Sequence, residues 1–72
     1  GAALYANRKE IAAVDRKLAK VAEQISALHT EIAAHDHSDY TGLGALTARL
    51  RELESENTEL EDRWLELSDD AS

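Results

Sequence analysis

His35, Asp36, His37 and Asp39 bring four side chains of nitrogen and oxygen ligand type together within one short stretch, "HDHSD", with His29 almost two helical turns earlier. Such a set raises the question of a metal. A His-x-His pair in a turn, however, lacks the i, i+4 or Cys/His spacing that preorganises zinc. A polar turn in which His35 closes the last apolar layer opposite Leu43 accounts for the same residues, so no metal site is assigned.

Catalysis has no better foothold. Cysteine is absent, which removes disulfides, thiolate ligands and thiol chemistry together. There is no Gly-rich phosphate loop, no nucleophile beside an obvious base, and no concave site in which paired carboxylates could work. The expectation is a chain that is not an enzyme, with no catalytic and no cofactor-binding residues of its own.

Charge is the remaining source of chemistry. Residues 1–36 carry five basic and five acidic side chains, whereas residues 37–72 carry three basic against ten acidic and supply the whole net charge of −7. Over most of its surface such a field repels phosphate backbones. Yet Arg8, Lys9, Arg16, Lys17 and Lys20 cluster on one segment, with Asn7 beside them. These five are the candidate nucleic-acid contacts, by charge alone, although by pattern alone an ordinary solvated face is the preferred explanation of them.

The elements that position these groups follow from composition and period. The chain has no proline, no phenylalanine and three glycines, and is rich in strong helix formers. Leu4, Ile11, Leu18, Ile25 and Ile32 recur every seven residues, and Val14, Val21 and Leu28 sit three further on, between Asn7 and His35. Leu43, Leu46, Leu50, Leu53, Asn57, Leu60, Trp64 and Leu67 then step by alternating threes and fours. Each series is a coiled-coil seam that one facing helix can cover. Ser38 and Asp39 are good helix N-caps, and Gly42 and Gly44 weaken the first turns after them by roughly 1 kcal/mol each. So short a break folds the chain back on itself.

The predicted fold is therefore all-α, a two-helix antiparallel coiled-coil hairpin forming one domain over residues 1–72. Helix 1 is expected at about 3–36, the turn at about 37–40 and helix 2 at about 41–68. If opposed residue numbers add to 78, Ile32 meets Leu46, Leu28 meets Leu50, Ile25 meets Leu53, Leu18 meets Leu60, Val14 meets Trp64 and Ile11 meets Leu67. Helices of about 30 residues make a rod roughly 45 Å long. Asn57 falls inside the seam opposite Val21, where a polar residue restricts register and would look to water or a backbone carbonyl for a partner. Trp64 fills its layer against the small Val14, or else anchors a neighbouring domain. Along the edges Asp15 faces Glu61 and Lys17 faces Arg63. Glu31 with Arg49 is the one well-matched opposed pair.

The hairpin with Tyr40 just after the turn, and a second helix reading "LTARLRELESENTELEDRWLEL" and closing on Arg-Trp-x-Glu-Leu, resembles the C-terminal domain of ABC-F family ATPases. The Uup-like branch is nearest, and "ANRKEIAAVDRKLAKVAEQISALHTEIAAHDHSDY" has the cadence of actinobacterial members. The resemblance covers nearly the whole chain, although many members carry a proline near the turn and this chain has none. It implies a cytoplasmic accessory module appended to two ATP-binding cassettes, with ATP and Mg belonging to the cassettes. It also implies contact with nucleic acid, DNA or ribosomal RNA, or with the ribosome. The alternative is a structural coiled coil for self-association or for docking onto the cassettes. The isolated fragment is expected to be mainly monomeric, without membrane contact, and to bind nucleic acid weakly.

Overall fold

A computed structural model describes residues 2–71, with side chains from 6 to 69. The side chain of Leu4, first member of the seam, therefore lies outside the described residues. Helix α1 (Ala2–Ala34) and helix α2 (Tyr40–Ala71) pack side by side as an antiparallel hairpin, a rod 57 Å long and 14 × 13 Å across. Among the described residues there is no strand and no helix long and apolar enough to cross a membrane.

The core is a single line of aliphatic side chains. Val14, Val21, Leu28, Leu53 and Leu67 are buried. Val21, Leu28 and Leu53 form one cluster, against which Ile25, Ile32, Leu46, Leu50 and Leu60 pack. That grouping sets the middle of α1 against the middle of α2, as the expected register requires. The three buried residues of α1 stand seven apart, and Leu53 and Leu67 two heptads apart, so the same heptad position is deepest in both helices. Two helices cannot enclose their seam completely, so the alternate layer remains half-buried.

Helix α1 stops at Ala34, two residues before the expected end, because the backbone finds better partners in the turn. The His35 N–H donates to the Ile32 carbonyl at 3.2 Å, and the Asp39 N–H to the Asp36 carbonyl at 3.0 Å. Asp36 Oδ1 accepts from both the Ser38 N–H, at 3.0 Å, and the Ser38 hydroxyl, at 2.8 Å. This local closure competes directly with continued helix. Asp39 then caps α2: its Oδ1 accepts the Gly42 N–H at 3.0 Å, while its carbonyl accepts the Leu43 N–H at 3.0 Å.

Asn57 resolves differently from expectation. Its Nδ2 donates to Glu61 Oε1 on the same helix, so a half-buried amide reaches outward to a carboxylate one turn on, with neither water nor carbonyl required.

Candidate nucleic-acid interface

Arg8, Lys9, Arg16, Lys17 and Lys20 all lie along the first half of α1, with Lys9, Arg16, Lys17 and Lys20 among its solvent-facing side chains. Helical geometry divides them. At 100° per residue Lys9, Arg16 and Lys20 fall on one stripe facing away from the seam, with Arg8 and Lys17 on its two flanks. None of the five makes a hydrogen bond or ion pair with another described residue. The stripe is separated by Ala12, Ala13 and Ala19, so its cations project from a low background of small side chains. Five cations without intramolecular partners are free to meet an external polyanion, although Glu10, Asp15, Glu23 and Glu31 share the helix with them.

Sequence reasoning missed the ion pair that crosses between the helices in this half of the hairpin. Arg63 Nε and Nη2 donate to Glu10 Oε1 across the helix pair, at 3.0 and 2.6 Å. Its Nη1 donates to Glu66 Oε2 at 3.2 Å. These two carboxylates, Glu10 foremost, hold the guanidinium pKa above its usual value. The expected register set Arg63 opposite Lys17, a like-charge contact. The long side chain instead turns one heptad toward the open end and collects two anions there. Part of the signal was present in the sequence, since Glu10 and Arg63 both occupy heptad-edge positions, where coiled coils form interhelical salt bridges.

The expected Glu31–Arg49 pair does not form. Arg49 Nη1 donates to Glu52 Oε2 at 3.1 Å along its own helix. Glu31 and Arg49 stand instead on the two rims of a shallow depression floored by Leu28 and Leu53. An i, i+3 partner costs less side-chain ordering than a reach across that depression.

The histidine-rich turn is brought together for a structural purpose. His35 Nε2 lies 2.9 Å from Asp39 Oδ2, the same carboxylate that caps α2. Asp39 is thereby held below the ordinary carboxylate range, first by the Gly42 N–H and then by His35. Asp36 is lowered likewise by the Ser38 N–H and hydroxyl. His37 is exposed, and among the described residues no three His, Cys, Asp or Glu side chains converge. A Cβ at Gly42 would collide with Asp39 Oδ2 and come within 2.6 Å of His35 Nε2. The glycine keeps space for the cap rather than breaking the helix.

On the other face of the rod, Leu18, Trp64, Leu65 and Glu61 line a shallow, mostly apolar groove. Leu65 is 55% exposed there. The Trp64 Nε1–H is buried without an acceptor among the described residues.

The sequence model of one family, described as the ABC transporter C-terminal domain, matches residues 3–69. No curated protein and no solved structure matches the chain.

Proposed function

Because the chain belongs to the ABC transporter C-terminal domain family, we propose that it is a non-catalytic accessory module of a cytoplasmic, ABC-F type, Uup-like ATP-binding protein. In this reading ATP and Mg are handled by the parent's cassettes, and the hairpin helps bring the parent onto nucleic acid or the ribosome. The observation that carries the reading is the partner-free set of cations on α1, Arg8, Lys9, Arg16, Lys17 and Lys20, on a half of the chain that is charge-balanced while residues 37–72 supply the net negative charge. The contact is electrostatic and confined to that face. The hairpin itself works as a monomer, since each seam is covered by its own partner helix.

Fluorescence anisotropy with short DNA and RNA duplexes tests this. With at most about five phosphate contacts, dissociation constants should be about 0.1 mM or above near physiological salt and fall steeply as salt is lowered. Reversing Lys17 and Lys20 to Glu should abolish binding; reversing Arg49 and Arg51 should do little. Salt-insensitive binding, or none at low salt, counts against it.

A second reading, docking onto the parent's own cassettes, is favoured by the Leu18–Trp64–Leu65 groove, where an apolar residue stays exposed beside a half-buried tryptophan. Leu65→Glu separates the two. It should leave nucleic-acid binding intact and weaken only a cassette contact, measured on the full-length parent by limited proteolysis of the joint between the domains.

A further inference from the structure

Glu10 is one of three anions beside the cationic face, with Asp15 and Glu23, and the one that a side chain of α2 reaches. It follows Arg8 and Lys9 directly, and on the heptad it shares an edge with Lys17, one repeat away. Left free, its charge would sit at the border of the strip and offset a neighbouring lysine. The structure does not leave it free. Two nitrogens of Arg63 close on Glu10 Oε1, with the remaining terminal nitrogen on Glu66. The guanidinium and the Glu10 carboxylate are each about half exposed, at 48% and 45%, so the pair lies at the surface where an approaching polyanion would sense it.

We propose that Arg63 is an electrostatic positioning residue for the α1 face: by holding Glu10 it masks the carboxylate at the border of the strip and keeps the face attractive to phosphate. This rests on the polyanion-binding reading above. It assigns to α2, the acidic helix, a residue on which the binding helix depends. Surface ion pairs contribute little to stability because water and salt screen them. The same screening is weakest at low ionic strength, where a polyanion bound within a few ångströms of an unmasked carboxylate is measurably repelled.

A double-mutant cycle on binding isolates the effect, using one fluorescein-labelled 20-base-pair DNA duplex at low salt and the variants Glu10→Gln, Arg63→Gln and both together. Masking predicts a local effect that the second substitution reverses. Glu10→Gln alone should strengthen binding, because it leaves the Arg63 guanidinium unpaired beside the strip. Arg63→Gln should weaken binding about threefold or more, and adding Glu10→Gln to it should restore wild-type affinity. Net charge counted without regard to position predicts instead that Arg49→Gln weakens binding as much as Arg63→Gln, which would overturn the proposal. A merely structural bridge predicts that the double variant binds as poorly as Arg63→Gln, which would overturn it also, and helical melting curves of all four proteins verify that the hairpin is intact. Arg49→Gln, which removes an arginine paired away from the strip, should leave affinity within about twofold. A wild-type chain that binds no duplex at any salt would remove the polyanion reading and this inference with it, whereas a binding chain whose affinity Arg63→Gln leaves unchanged, or Glu10→Gln does not restore, removes the inference alone.

Discussion

At the tip of the hairpin, chemistry-bearing side chains are spent on the chain itself; near the open end, they are spare. Asp36 closes the turn through Ser38, and Asp39 holds Gly42 with one oxygen and His35 with the other. Lys9, Arg16 and Lys20 have no such duties. The comparison teaches that a cluster of ligand-type residues is informative only after its local hydrogen bonds have been counted. Beside the turn, a cluster of like residues serves backbone closure. On the outward face of a long helix, where the backbone is already satisfied, it has nothing intramolecular left to do.

The two regions share one support, the apolar cluster between them, and removing it is the most damaging change. Leu53, 2% exposed, packs with Val21 and Leu28 at the centre of the rod. Leu53→Ala should cost about 2–4 kcal/mol, a large share of the stability of so small a domain. Leu65→Ala, at a 55% exposed position, should change stability by less than about 0.5 kcal/mol. Urea titrations followed by helical circular dichroism measure both. Equal effects would mean that the buried seam does not carry the fold.

Two glycines near the tip sharpen the contrast at a smaller scale. Alanine is the better helix former by about 1 kcal/mol at either position. A methyl group on Gly44 would meet nothing within 4 Å, so Gly44→Ala should gain that amount. Gly42→Ala should destabilise despite the same gain, because the added carbon displaces the Asp39 carboxylate from its cap and from His35. Opposite signs from the same substitution two residues apart would be read as opposite shifts in melting temperature. A shared gain would show that the cap yields without loss.

Much of this was legible in the sequence, for a physical reason. Seam residues such as Val21, Leu28 and Leu53 reveal themselves through periodicity because burial in a two-helix rod depends almost wholly on angular position. The cap at Asp39 was legible too, since capping depends on a residue type beside a restarting pattern. What escaped depended on where long side chains swing. The partner of Arg63 is set by the repulsion of Lys17 and the attraction of two glutamates, and that of Arg49 by a neighbour on its own helix. The role of Gly42 escaped because propensity describes the average helix, whereas its need for space comes from two particular neighbours. The exposed strip was legible as residues and placement, because charge and spacing alone locate it.

The smallest effect expected at the tip is its response to acid. Asp39 and Asp36 both have folded-state pKa values below the ordinary 3.8, the first through the Gly42 N–H and His35, the second through the Ser38 N–H and hydroxyl. A carboxylate lowered on folding contributes stability that is fully present above its unfolded pKa and is lost as pH falls through the folded one. The tip contribution should therefore be constant above about pH 4 and decline below it. The useful quantity is a difference between variants. Asp39→Asn preserves a good capping group but cannot titrate, and should keep most of the stability at pH 7. Its melting temperature should then fall less than that of the wild type between pH 4 and pH 2. Parallel curves for the two proteins would mean that the ionised Asp39 carboxylate adds nothing that a neutral cap does not, and the turn would differ from the strip in geometry alone.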